Sequence, residues 1–394
     1  MSRETGLAGA RLVVYLPDLS GGGAERLHVS LAPVFLAAGL QVTFLVHRLR
    51  GELLDAVPVG VGVVSLEAAR PLAALPGLIA FLRRERPEFL LVNTEHMNIV
   101  AIWAKLLSGA PTRLVVTQHS VLSQQAKRPG WRSKALPFLY RRLLRRAAAI
   151  VAVSNGVARE TETICRLDRG AVQVIYNGVV DERFAARSAA PVAHPWLDGR
   201  RTVLMAVGRL VAMKDFATLI RAFAQVARVR DLYLIILGEG PLRVELSSLA
   251  ASLGVADRLD MPGFVECPLP FIWRSAALAL SSRFEGFGNV LAEALACGVQ
   301  TVSTDCPFGP AEILACGRFG RLTPVGDAES MAKAILLALD EPIEPAILRA
   351  RGASFSIEAC AAAYLSLFDD LMRAPAVGQR PGSNATPCRH ERLC

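Results

Sequence analysis

Residues 12–46 read LVVYLPDLSGGGAERLHVSLAPVFLAAGLQVTFLV, and the order of events in that stretch decides the fold. Leu12–Leu16 is an unbroken apolar run of strand length. Gly21, Gly22 and Gly23 break it, Ala24–Ala38 is apolar at helical spacing, and Gly39 stops the helix before a second buried strand, Gln41–Val46. Strand, crossover helix and strand in succession specify a parallel pair. Leu27–Val46 is also the most apolar window of the chain. Pro33, Gly39, Gln41 and Thr43 interrupt it, so it falls short of the roughly 18 clean apolar residues that a membrane span requires.

The same alternation continues to the end of the chain. Further strands are expected at Val61–Ser65, Phe89–Val92, Leu114–Thr117, Ile150–Val153 and Val172–Ile175. In the second half they are expected at Thr202–Val207, Tyr233–Leu237, Leu259–Met261, Leu278–Ser281 and Gln300–Ser303. Strands this rich in Val, Ile and Leu, separated by helical patterns, predict parallel sheets covered on both faces. Ala185–Arg201 breaks the rhythm with Pro191, Pro195, Asp198 and Gly199 and reads as a linker. A length of 394 residues exceeds what one core usually holds. The expected architecture is therefore α/β, with two doubly wound, Rossmann-like domains facing across a cleft. The domains are expected at 1–184 and 202–356, with 185–201 joining them and 373–394 as a disordered tail.

Composition excludes other classes. Apolar residues are 52% and charged residues 20%, which no disordered or collagen-like chain shows. The start, MSRETGLAGA, has no signal-peptide core, and the eight cysteines contain no CxxC pair, so the expected compartment is the cytoplasm. Cys388, His390 and Cys394 cluster near the end, as either a metal site or a frayed terminus. The net charge of +9 lies wholly in residues 1–183, which hold 23 basic against 14 acidic side chains. Its centre is Lys127–Arg146, with no acid and with Leu136, Leu139, Tyr140, Leu143 and Leu144 at helical spacing. That basic amphipathic helix is either a solvated face or a surface for anionic headgroups or a pyrophosphate-bearing acceptor, with Arg141, Arg142, Arg145 and Arg146 as its contacts. No nucleic-acid motif is present, and aromatics are only 6%.

Three loops at strand ends carry chemistry. Ser20-Gly21-Gly22-Gly23 lets backbone approach a ligand ahead of a helix N-terminus, although a plain turn also explains it. Arg209 and Lys214 follow Thr202–Val207 and combine a guanidinium fork with a point charge, as a diphosphate requires, unless both are ordinary surface charge. The third loop, SRFEGFGNVLAE over 282–293, sets Glu285 before a glycine loop, a helix start near Asn289, and Glu293 one turn into that helix. The loop can cradle a phosphate and Glu293 can accept from a vicinal diol, against the plainer reading of a loop and a surface glutamate.

AVGRLVAMKDFATLIRAF, LIILGEGPLRVEL and SRFEGFGNVLAEALACGVQTVSTDCPFGPAEIL, with GGGAERL, VSNGV and IYNGV, resemble the retaining glycosyltransferases of family 4, which have the GT-B fold. The resemblance covers about residues 11–370, in order. It implies a nucleotide-sugar donor held by the C-terminal domain and an acceptor held by the N-terminal one. It also implies a helix at 357–372 that crosses back onto the first domain. By position, Gly22 and Gly23 would approach the donor phosphates, and Arg209 and Lys214 would stabilise the leaving diphosphate. Glu285 would touch the donor sugar, Glu293 the ribose, and the loop 262–265, with Phe264 and Val265, the base. Gly238 and Gly240 would leave room beside the nucleotide, while Phe287, Gly288 and Asn289 would line the phosphate loop. His119 matches the family histidine near the transferred sugar, with His96 a second candidate.

The resemblance further implies transfer with retention, in which the departing phosphate serves as base. No DxD motif is present, so neither a metal nor another cofactor is expected. Ser303–Leu314 resembles members that build bacterial polysaccharide or lipopolysaccharide on lipid carriers, although Ala311 stands where an arginine is typical. The expected donor is a UDP-linked hexose or N-acetylhexosamine, and the expected acceptor a lipid-linked or lipopolysaccharide glycan. The enzyme would then be peripheral at the cytoplasmic face of the inner membrane. Two alternatives use the same fold: a UDP-sugar 2-epimerase, and an inactive transferase-like partner subunit.

Overall fold

The computed structural model describes residues 6–119, 121–126 and 138–374. The chain divides into two compact units: the first runs to Gly178 and resumes at Ile357, and the second is Val179–Ser356. The division falls earlier than the expected linker. Val179 and Val180 both donate their N–H to Phe355 O, which ties them to the end of the second unit. The stretch read as a linker starts with a helix, Phe184–Ala189, and His194 Nε2 lies 2.9 Å from Asp260 in the same unit. Prolines obscured that helix, which is too short to show a period.

The first unit is a seven-stranded parallel sheet in the order β3-β2-β1-β4-β5-β6-β7. Its strands are β1 Arg11–Leu16, β2 Gln41–Val46, β3 Gly62–Ser65, β4 Phe89–Val92, β5 Arg113–Gln118, β6 Ala149–Ala152 and β7 Gln173–Val174. β1 pairs with β2 from Arg11↔Gln41 to Leu16↔Val46, so the crossover Gly23–Ala37 returns the chain in register. Gly39 stops that helix at φ +88°, a conformation only glycine adopts without strain.

Residues far along the chain complete this core. The closing helix Ile357–Arg373 buries Tyr364 and Phe368 against the first helix and the sheet. Phe368 lies 4.7 Å from Phe89 and 6.0 Å from Phe35, ring to ring, and Tyr364 Oη meets Thr117 Oγ1 at 3.5 Å.

The second unit has six parallel strands in the order β10-β9-β8-β11-β12-β13. They are β8 Thr202–Val207, β9 Leu232–Leu237, β10 Leu259–Gly263, β11 Ala277–Leu280, β12 Gln300–Thr304 and β13 Arg321–Thr323. β13 went unpredicted: three residues, one of them Arg321, make no apolar run, and only pairing from Val302↔Arg321 to Thr304↔Thr323 makes them a strand. In both sheets the order reverses beside the first strand, between β1 and β4 and between β8 and β11. Crevices at the carboxyl ends there are where such sheets bind ligands.

Phe368→Ala removes a fully buried ring from the first unit's core. It should cost about 3–5 kcal/mol, read as a lower urea midpoint. An unchanged midpoint would show that the closing helix is not part of that core.

Candidate functional site

In the second unit, three loops meet at the β8–β11 reversal. After β8 the chain passes Gly208, Arg209 and Leu210 and makes a short turn, Ala212–Lys214. Asp215, at φ +46°, redirects it into the helix Phe216–Val226. The loop after β11 is stitched to this one by backbone: Arg283 N–H donates to Met213 O at 2.8 Å. Ser281 Oγ adds a bond to Lys214 O at 2.7 Å, and Arg283 Nε one to Asp215 Oδ2 at 3.1 Å. Lys214 Nζ reaches Glu285 Oε1 at 2.5 Å, and Ser282 Oγ donates to the same oxygen at 2.6 Å. Glu285 is clamped through its backbone as well, since its N–H donates to Pro307 O and its carbonyl accepts from Phe308 N.

The Lys214 and Glu285 side chains are only 16% and 10% exposed, so their pairing is far less screened than a surface ion pair. Arg209 is exposed and its guanidinium has no hydrogen-bond or ion-pair partner among the described residues. Of the two cations expected to meet a diphosphate, one is therefore paired and one open. Ser282, Asp215 and Arg283, which hold this arrangement, were not singled out. The spacing of Ser282 three residues before Glu285 was their one sequence signal.

Gly238 and Gly240 serve a different purpose from the one expected. A Cβ at Gly238 would lie 2.1 Å from Gly208 O, and one at Gly240 2.4 Å from Leu210 O. The room those glycines leave is filled by the backbone of the β8 loop, with Gly208 N bonded to Leu237 O and Leu210 N to Glu239 O. Phe287 also departs from expectation. It is buried, edge-on to Phe355 at 5.5 Å, so its ring seats the loop rather than lining it. Behind it Gly288, at φ +103°, starts the helix Asn289–Cys297 without a side-chain cap, and Glu293 is half-buried one turn in. Phe264 stands 60% exposed just past β10, with Val265 half-buried beside it.

The remaining candidates belong to the first unit. Gly22 and Gly23 are exposed at the start of the helix Gly23–Ala37, with Gly22 as an N-cap that offers no side-chain bond. His28, one turn further, is buried with Nδ1 2.7 Å from Ala24 O. His119 follows β5 and is half-buried as a residue, but its Nε2, like that of His28, is shielded from solvent and has no partner. Both amide atoms of Asn93, just past β4, are likewise buried and unpaired. Burial lowers the His28 pKa to about 4 and that of His119 to about 3, the latter aided by repulsion from His28. Both rings are neutral near pH 7 and can exchange hydrogen bonds but carry no charge. His96 is exposed on the helix Glu95–Ser108.

Only the end of the basic segment falls within the described residues. Residues 127–137, with Lys127, Arg128, Arg132, Lys134 and Leu136, lie outside the described residues, as do Cys388, His390 and Cys394. Residues 138–143 are helical, Leu144–Arg146 tightens to a 3-10 turn, and the Arg145 guanidinium donates to Arg166 O. Tyr140, Leu143 and Leu144 are buried, while Phe138, Leu139, Arg142 and Arg146 are exposed and Arg141 is half-buried. No helix among the described residues is long and apolar enough to cross a membrane. None of the described residues forms a group of three or more His, Cys, Asp or Glu side chains able to hold a metal ion.

Residues 193–355 match the family model of the group 1 glycosyl transferases, and residues 21–183 that of glycosyltransferase family 4. A similar protein in Campylobacter jejuni is the N-acetylgalactosamine-N,N'-diacetylbacillosaminyl-diphospho-undecaprenol 4-alpha-N-acetylgalactosaminyltransferase, 28% identical over 84% of this chain and 90% of that one. The lipopolysaccharide core biosynthesis glycosyltransferase LpsE of Rhizobium meliloti is 29% identical over 88% of this chain and 95% of its own. Among solved structures, a glycosyltransferase of Rickettsia africae superposes with a TM-score of 0.74 at 15% identity, over 93% of this chain and all of that one. HepE of Anabaena, solved with UDP and glucose, gives 0.70 at 18% identity, over 92% of this chain and 98% of its own.

The two neutral histidines make stability acid-sensitive. Their folded pKa values lie below the ordinary 6.5, so the unfolded chain takes up protons first as pH falls. Their contribution is complete well above the unfolded value of about 6.5 and is lost as pH falls below it, down to about pH 4 for His28 and about pH 3 for His119, at up to about 1.4 kcal/mol per pH unit for each ring. His28→Leu should roughly halve that slope in urea titrations across this range. An identical slope would mean that His28 is not held neutral.

Proposed function

The chain belongs to the group 1, family 4 glycosyltransferases, and on that premise we propose that it moves a hexose or N-acetylhexosamine from a UDP-linked donor, with retention, onto a lipid-linked or lipopolysaccharide acceptor. The observation that carries this reading is the Lys214–Glu285 contact beside an unpartnered Arg209, at the carboxyl edge where the second sheet reverses its order. Two positive groups on adjoining turns of one loop match a diphosphate, and Glu285 holds the lysine in place until one arrives. Phe264 offers an exposed face to the base, and Glu293 a carboxylate to the ribose.

In the reaction the bond from the anomeric carbon to the diphosphate oxygen breaks as negative charge develops on that oxygen. Arg209 and Lys214 stabilise that charge, which is the part a divalent ion plays in other transferases, so the reaction proceeds without metal. The acceptor hydroxyl forms its bond on the same face, and its proton passes to the departing diphosphate. His119, neutral at physiological pH, contributes a hydrogen bond to the sugar rather than a charge. The acceptor class is supported by the Campylobacter and Rhizobium relatives, whose names specify a diphospho-undecaprenol glycan and a lipopolysaccharide core. We further propose that Phe138, Leu139, Arg141, Arg142 and Arg146 meet an anionic membrane surface, apolar side chains below and guanidinium groups at headgroup level.

A thermal-shift series with UDP, GDP and ADP, each with and without EDTA, tests the donor. UDP at about a hundred times its dissociation constant should add roughly 2.7 kcal/mol, unchanged by EDTA and removed by Arg209→Ala with Lys214→Ala. A shift with GDP alone would transfer the proposal to GDP-sugars, and no shift with any nucleotide would favour a catalytically inactive partner subunit. Sedimentation with anionic vesicles tests the membrane surface. Arg141, Arg142 and Arg146 changed together to Gln should release the protein in a salt-dependent way, and equal sedimentation would leave the segment a solvated face.

A further inference from the structure

The first unit carries a second basic site that the donor chemistry does not use. A cavity of about 270 Å³ opens at the carboxyl edge of its sheet, lined among others by Asp18, His47, Arg48, Arg50, Thr94 and His96. These residues follow β1, β2 and β4, and the sheet order reverses between β1 and β4. Among the described residues, two guanidinium groups therefore line it against one carboxylate. Asp18 is already engaged, by Arg50 Nε at 3.1 Å and the Ser20 N–H at 3.1 Å. Arg48 is exposed, with no side-chain partner among the described residues.

The walls are set before any ligand arrives. His47 N–H donates to Pro17 O, Leu19 N–H to Arg50 O, and Leu53 N–H to Leu19 O. A Cβ on Gly51, at φ +125°, would lie 2.1 Å from Leu19 O, so the loops after β1 and β2 also touch backbone to backbone. Tyr15 Oη holds His47 by Nε2 at 2.7 Å, which fixes the ring and leaves Nδ1 as its remaining polar atom. Thr94 is the N-cap of the helix Glu95–Ser108, fourteen residues long, and makes no side-chain capping bond, so the positive end of that helix adjoins the same volume.

We propose that this cavity is the anion subsite of the acceptor, holding a phosphate or diphosphate group while the sugar it bears is glycosylated. A preformed pocket with an unpaired guanidinium, a second one held in place, two imidazoles and a helix N-terminus suits a compact, multiply charged oxyanion. The inference rests on the transferase reading, and it assigns the acceptor's charge to residues separate from the donor clamp of Arg209 and Lys214.

Inorganic pyrophosphate, titrated calorimetrically into the full-length protein, tests it. Arg209→Ala with Lys214→Ala serves as the background, so that the donor clamp cannot answer for the pocket. Pyrophosphate should still bind that background, and adding Arg48→Ala should weaken it tenfold or more, with Arg48→Lys recovering part of the loss. UDP should bind the single Arg48→Ala variant as tightly as it binds the unaltered protein. No binding in the background, or binding indifferent to Arg48→Ala, overturns the subsite while UDP binding leaves the transferase reading standing. Failure of UDP to bind the unaltered protein removes that reading instead. Malonate binding more tightly than pyrophosphate would overturn the phosphate assignment in favour of a carboxylate.

Discussion

Parallel strands cannot be joined by a hairpin; each needs a crossover long enough to return the chain to its starting edge, and the rest of this molecule follows from that constraint. Both sheets are wholly parallel, so their faces are covered by helices and their carboxyl edges are where loops are free to vary. All three candidate loops sit on those edges. The same constraint explains the closing helix. The first sheet needs Tyr364 and Phe368 to cover Phe89 and its neighbours, and the chain supplies them only after the second unit has been built.

Within the second unit, tight backbone contact is what makes the site rigid. Gly208, Gly238 and Gly240 bring the β8 and β9 loops together without side chains, and Arg283 N–H bonds the β11 loop to the same turn. On that base Lys214 and Glu285 hold one another, with Ser282 fixing the shared oxygen. Any anion that binds the ammonium must compete with Glu285 for it, which favours a ligand carrying more charge than one carboxylate. The first unit uses the opposite device. His28 and His119 are kept uncharged by burial, and their Nε2 atoms, with the side-chain amide atoms of Asn93, are left without a hydrogen-bond partner.

Much of this was legible before any coordinates. Twelve of the thirteen strands follow from short Val/Ile/Leu runs, because a strand buried on both faces has no polar alternation to hide it. Arg209, Lys214, Glu285 and Glu293 stood out because each sits at a set distance beyond a strand. What escaped had no local signal. β13 is a strand only by pairing with β12. The helix Phe184–Ala189 is one and a half turns inside a proline-bearing stretch. Charge and spacing alone extend the basic helix through Arg146, and they carry no sign that Arg145 hydrogen-bonds the carbonyl of Arg166, twenty-one residues on.

The amino-acid sequence by itself determined the alternation of strand and helix, the two-sheet plan, the family and the positions of the charged groups, because these depend on residue type and spacing along the chain. Tertiary structure alone decided which of those groups touch. Lys214 lies seventy-one residues from Glu285 in sequence and 2.5 Å from it in space, and Asp18 meets Arg50 across two different loops. It also decided that the glycines at 238 and 240 accommodate a neighbouring loop, and that Arg48 lines a cavity instead of an open surface. The physical reason is that contact, burial and the electrostatics that follow from them are properties of chain segments brought together, and spacing along one segment carries no record of the other.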